Sequence, residues 1–231
     1  MPTTPTRQRR KQARPQELLD AALDLFVEKG FAATRSEEVA LRAGVSKGTL
    51  YLYYPSKEEL LKEVIRHHMV NRITEGASIV SEFEGSTSEL LVLVFGLWWE
   101  RIGETRASGI MKLMMSEVRN FPDIARFYAD EVVRPAERMV SQLVQRGIDR
   151  KEFRQVSVID VAHALMAPML FLVMHKHSIG ACGVGHVIEP QGFIATHIDL
   201  VLHGLELPRK PPARKPMAPP CAAADKRKSP R

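Results

Sequence analysis

"SEEVALRAGVSKGTLYLYYPSKEELL", residues 36–61, interrupts a helical pattern twice and then resumes it. Ser36 opens the first segment as a candidate cap for free amides, with Glu37 and Glu38 at the positive end of the helix dipole. That segment reaches about Ala43, where Gly44 permits a tight turn. Ser46 caps a helix of barely two turns through Tyr53, and Pro55 stops it because the residue before proline disfavours the helical region. Ser56 and Glu59 then form a capping box that starts a long helix to about Val80. Ala40 is small where the first two helices cross, and Val39, Val45 and Leu50 hold the pair together. Helix, tight turn and helix in this order make a helix-turn-helix.

The second helix of that pair has little left to bury, and what it presents is Lys47, Gly48, Thr49, Tyr51 and Tyr53. A lysine at the front of such a helix reaches guanine O6/N7 or a phosphate, and a glycine beside it lets the backbone approach a base edge. The hydroxyls of Thr49, Tyr51 and Tyr53 suit phosphate oxygens, and a tyrosine ring packs on a thymine methyl. Lys57, at the next helix start, adds a charge to amides that favour phosphate. A plain surface helix with incidental hydroxyls is the bland alternative on this spacing alone.

Upstream, Leu18, Leu19, Ala22, Leu25 and Phe26 recur at helical spacing, with Pro15 near a first-turn position and Gly30 as a stop. Downstream, helices are predicted over 87–104, 108–120, 123–146, 157–177 and 191–207, with residues 180–192 a glycine-rich loop. No alternating strand pattern competes, so the fold class is all-α with about nine helices.

The net charge of +6 is unevenly placed. Residues 1–15 hold five basic groups and no acid, and residues 208–231 hold eight against one Asp. Residues 16–207 carry 20 basic against 26 acidic groups, so basicity lies at the ends, in segments expected to be solvated tails. The division expected is a basic arm at 1–14, a helix-turn-helix domain at 15–66, a larger helical domain at 67–207 and a basic Pro/Ala-rich tail at 208–231. The opening segment has no apolar run of signal-peptide type, and Cys182 and Cys221 suggest no disulfide framework, so a reducing, cytoplasmic setting is expected. The longest apolar runs, from Leu90 and from Ala164, are about half of the ~20 residues a membrane span needs.

Residues 15–66, and above all the stretch quoted first, resemble the N-terminal DNA-binding domain of the TetR family of transcriptional regulators. The resemblance implies that Lys47, Gly48 and Tyr51 face bases while Ser36, Thr49, Tyr53 and Lys57 contact the backbone, with Ser46 in the same reading head. One departure is Tyr54, where an apolar Phe is usual, so its hydroxyl needs a partner. Another is Leu52, where a larger or more polar residue is often found. "FYADEVVRPAERMVSQLVQRGIDRKEFR", residues 127–154, is similar to the seventh helix and following turn of members with an AefR-like C-terminal domain.

In the larger domain, Phe95, Trp98, Trp99, Met111, Met115, His163, Met166 and Met169 are candidate pocket residues, because methionine and tryptophan line adaptable apolar cavities as readily as they fill a core. Arg101, Glu104, His163 and His175 are candidate polar contacts. Ala164, Phe171, Leu172, Ile194, Ile198, Val201 and Leu202 on the last two helices exceed what one small domain needs to close, so a partner is implied. The resemblance implies a homodimeric four-helix bundle and hence a palindromic double-stranded DNA site with half-sites in successive major grooves.

The function expected is a dimeric transcriptional regulator, most readily a repressor, released from DNA by a small apolar or aromatic effector. A regulator without a small-molecule ligand and an architectural DNA-binding protein are the alternatives. No G-x-S-x-G, P-loop or H-E-x-x-H is present, so no enzymatic reaction and no cofactor are expected. The donors His175, His177, Cys182 and His186 match no common zinc spacing, and no metal is expected.

Overall fold

In the computed structural model the described residues are 7–207, with side chains from residue 15 onward. They form nine helices and no strand. Helix α1 is Arg7–Lys29, α2 Ser36–Arg42 and α3 Lys47–Tyr53. Helix α4 spans 57–82 with a π turn at Arg66–Val70, and α5 spans 87–103 with a π turn at Trp99–Gly103. Helix α6 spans 108–120, and α7 spans 122–149 with a π turn at Ala129–Val133. Helices α8, Val158–Lys176, and α9, Pro190–Leu205, complete the chain.

Two boundaries depart from the sequence reading. Helix α1 begins at Arg7 and carries Pro15 inside it, so the arm expected at 1–14 shares residues 7–14 with the helix. Pro15 removes one backbone donor, and the Arg, Gln, Lys and Ala before it are good helix formers. Residues 1–6 and the tail expected at 208–231 lie outside the described residues. At α2 the cap position belongs to Arg35, and Ser36 is the first helical residue. The local polar work falls to neighbours: the Thr34 hydroxyl lies 2.7 Å from the Gly30 carbonyl and 3.1 Å from the Leu25 carbonyl, and the Glu38 carboxylate accepts the Arg35 N–H at 3.2 Å.

The turn between α2 and α3 closes on backbone groups alone. The Gly44 N–H donates to Leu41 O at 3.0 Å and the Val45 N–H to Ala40 O at 2.9 Å, a Schellman closure with Gly44 at φ +67. Ser46 and Ser56 cap α3 and α4 as expected, accepting the N–H groups of Thr49 and Glu59 at 3.1 Å each. The capping box expected at Ser56 is only half formed, because the Glu59 carboxylate pairs with Lys62 at 2.8 Å instead of reaching back to the Ser56 amide.

Two apolar clusters support the molecule. One joins α1–α4 to Ile102, Ile110, Leu113 and Met114 of α5–α6 and to Ile124 and Val132 of α7, so it runs across the boundary expected at residue 66. The other joins α5, the second half of α7, α8 and α9 through Leu90, Leu143, Leu165, Val173 and Ile198. Strandlike pairing is confined, among the described residues, to one bridge between Phe153 and Glu206, which ties the end of α9 to the turn after α7.

Gly44→Ala tests the turn in isolation, because a Cβ there meets nothing within 4 Å. The cost is the left-handed backbone alone, about 1–2 kcal/mol. Thermal unfolding should show a midpoint lowered by a few degrees; an unchanged midpoint would remove the turn's need for glycine.

Candidate nucleic-acid interface and ligand cavity

Helix α3 buries Leu50 completely and little else. Around that anchor, Lys47, Gly48, Tyr51, Leu52 and Tyr53 are exposed. Leu52 on α3 and Leu41 on α2 are 85% and 81% exposed, so neither is held by the chain's own packing. A Cβ on Gly48 would meet only Ser46 Oγ at 3.8 Å, so packing within the chain does not require glycine there. The Thr49 hydroxyl lies 2.9 Å from Ser46 Oγ, which keeps both at the helix entry.

Lys47 is ion-paired with Glu37 of α2 and stands 5.8 Å from the Tyr51 ring centroid. The hydrogen bond from the Lys47 ammonium holds the Glu37 carboxyl below its ordinary range, and the same contact raises Lys47. Tyr54 faces inward, and its hydroxyl finds the Pro15 carbonyl at 3.4 Å. Burial pushes that phenol up to about 12, so it remains a donor at neutral pH.

Two residues read as backbone contacts have other positions. Ser36 is largely buried, at 7% exposed, where the first turn of α2 packs against the end of α1. The Lys57 ammonium is engaged within the protein: it donates to the carbonyls of Phe31, Ala32 and Thr34 at 2.8, 3.2 and 3.0 Å and stands 4.5 Å from the Phe31 ring centroid. All three of its donors therefore point into the loop between α1 and α2.

The same loop is held from the other side by a residue the sequence reading passed over. The Glu117 carboxylate, at the end of the α-helical part of α6, accepts the N–H groups of Phe31 and Ala32 at 2.9 Å each. Gly30 makes the approach possible, since a Cβ there would lie 2.3 Å from Glu117 Oε1 and its φ is +87.

Helices α4–α8 enclose a cavity of about 460 Å³. Phe95, Trp98, Met111, Met115, His163, Met166 and Met169 line it, together with Arg101. Trp99 does not: one helical step turns it away from Trp98, and it lines a second cleft with Glu104 and His175 beneath the loop before α9. Each π turn contributes to the cavity wall, through Met69, through Arg101 and Ile102, and through Val132 and Val133. Arg72 and Tyr128 are further lining residues that periodicity does not single out.

The candidate interface residues divide. Ala164 and Phe171 are exposed and Val201 and Leu202 half-buried, whereas Leu172, Ile194 and Ile198 are buried in the chain's own second cluster. Both helices are apolar around much of their circumference, so periodicity could not set the phase of the outer face. Among the described residues no group of three or more His, Cys, Asp and Glu side chains converges as metal ligands do, and His177 Nε2 lies 2.8 Å from the Ser108 hydroxyl.

Residues 18–64 match the sequence model of the bacterial regulatory proteins, tetR family. The chain is 30% identical over 149 residues to YfiR of Bacillus subtilis, an uncharacterised helix-turn-helix transcriptional regulator, covering 63% of this chain and 71% of that one. The chain belongs to the TetR family. It is also 25% identical over 199 residues to the transcriptional repressor KstR2 of Rhodococcus jostii, across 86% of this chain and 94% of that one. The fold matches that of the transcriptional regulator FadR of Bacillus subtilis, solved with stearoyl-CoA, at a TM-score of 0.68 and 17% identity, covering 82% of this chain and 98% of that one.

As a TetR-family regulator the chain presents an α3 surface whose loss should separate cleanly from its scaffold. Lys47→Ala and Tyr51→Ala should weaken specific DNA binding by about tenfold or more each with thermal midpoints nearly unchanged, in a mobility-shift assay beside a melting curve. Lys57→Met and Glu117→Gln should instead lower the midpoint, at about 1–3 kcal/mol each, because they orphan backbone groups of the 31–34 loop. A stable Lys57→Met protein with DNA binding lost would return Lys57 to the contact surface.

Proposed function

We propose that this TetR-family chain is a homodimeric repressor that reads a palindromic DNA site through α3 and leaves it when an apolar small molecule enters the cavity. The observation that carries the reading is the link between the two sites. Lys57 opens α4 and Glu117 lies near the end of α6, both helices line the cavity, and both side chains grip the loop that enters α2. A ligand that separates α4 from α6 moves the carbonyl clamp relative to the amide clamp, and α2–α3 must follow. Such a ligand lowers DNA affinity only to the extent that it favours the displaced arrangement.

Lys47, Gly48 and Tyr51 are the proposed base-facing groups, and Ser46, Thr49 and Tyr53 the proposed phosphate contacts, all at the outer surface or entry of α3. Lys47 must release Glu37 to reach DNA, so the ion pair lowers non-specific affinity as well. The proposed effector is largely apolar, in keeping with methionine, tryptophan and aliphatic walls. Regulation of this kind is carried out in the cytoplasm, with no cofactor.

The dimer face is proposed at the outer surfaces of α8 and α9, where Phe171 and Leu200 are 50% and 68% exposed. Contrary to the expectation from the uninterrupted apolar run at Ala164, Val158–Cys182 as a whole is long and apolar enough to cross a bilayer, a test of length and composition that core helices also pass. Only 28% of its most apolar window is buried within one chain. Since α8 already packs α7 and α9 on its other faces, a second copy of the same pair supplies the missing cover.

Selection of bound sequences from a random DNA pool should return a palindrome, and apolar compounds should release it. Binding without sequence preference would favour an architectural role, and specific binding that no compound alters would remove the effector. Phe171→Glu should give a monomer by light scattering and abolish binding to the palindrome; a persisting dimer would place the interface elsewhere.

A further inference from the structure

We infer that the effector is an anionic amphiphile, with its apolar body in the cavity and a single carboxylate-like head held between Arg72 and Arg101. This rests on the effector reading of the cavity and adds the sign of the effector's charge. Arg72 comes from α4 and Arg101 from the π turn closing α5, and both line the cavity. Their side chains are 46% and 40% exposed, so they stand where the cavity meets water.

Both guanidiniums lean on one carboxylate. Glu75 Oε2 accepts from Arg72 Nη1 at 3.0 Å and from Arg101 Nη1 at 3.1 Å, and Glu75 Oε1 accepts from Arg72 Nη1 at 3.1 Å. Two positive groups thus share one negative group, and donor capacity is left over, since a guanidinium carries five N–H bonds. Glu75 is not part of the cavity wall, and its side chain is 44% exposed, so it can swing into water when another anion takes its place.

The remaining lining has the same polarity. Besides the two arginines, the ionisable residues of the wall are Tyr128 and His163, and no Asp or Glu lines it. The Tyr128 hydroxyl makes no hydrogen bond among the described residues, and burial pushes its titration upward, which keeps it a donor. His163 Nε2 lies 3.3 Å from Glu137 outside the wall. A cationic effector would meet two guanidiniums and no wall carboxylate. A neutral one would leave both arginines on Glu75, whereas a carboxylate fits their planar forks.

The test is titration of the full chain with dodecanoate, dodecan-1-ol and dodecyltrimethylammonium below their micelle concentrations, followed by calorimetry and by the fluorescence of Trp98, which lines the cavity. Dodecanoate should bind about tenfold or more tighter than the alcohol, and the trimethylammonium ion weakest. Arg72→Gln and Arg101→Gln should each cost dodecanoate about tenfold, leave the alcohol unchanged and preserve the melting midpoint. Glu75→Gln should tighten dodecanoate by removing its competitor, a gain that damage to the fold cannot produce. Equal affinity for acid and alcohol, or a Glu75→Gln variant that weakens the acid, overturns the charge assignment and leaves the effector cavity standing. Failure of all three probes to bind overturns both.

Discussion

The loop at residues 30–34 is gripped by opposite charges on opposite peptide groups, and the placement of the reading helix depends on that grip. Lys57 collects three carbonyls of the loop, and Glu117 collects two amides. Neither α2 nor α3 is long enough to hold itself: each has seven residues, well short of the length at which an isolated helix persists in water. Their orientation is therefore borrowed from α1, α4 and α6 through this loop and through the apolar cluster that runs beneath it.

In the proposed reading, that dependence is what lets a ligand in the cavity act on α3 through α4 and α6. The cavity wall is built where three helices relax into π turns, each of which splays side chains that a regular helix would stack. Such segments give up hydrogen-bond regularity, and they are natural places for a wall to widen or close. Met69 in one of them belongs both to the cluster under the helix-turn-helix and to the cavity wall.

What was legible in the sequence was local. Ser46, Ser56, Gly44 and Pro55 act on backbone groups within a few residues of themselves, so the helix-turn-helix and the start of α4 could be read directly. Lys57 shows the limit: a lysine at a helix start has the same sequence signature whether it meets phosphate or, as here, carbonyls 23 to 26 positions away. Ser36 misled in the same way, because capping by serine and burial of serine look alike until the packing of α1 is known. Glu117 carried no signal at all, being one acid on a helix with its partners 85 and 86 residues distant.

The amino-acid sequence by itself determined the all-α class, the number of helices to about nine and the helix-turn-helix, because periodicity, capping and turn chemistry act over one or two turns of chain. Tertiary structure alone decided which of two adjacent tryptophans faces the cavity, which side of α8 and α9 is left uncovered, and which charges hold the loop before α2. These are questions of phase and of partners brought together from distant positions, and a helix apolar on several faces records neither.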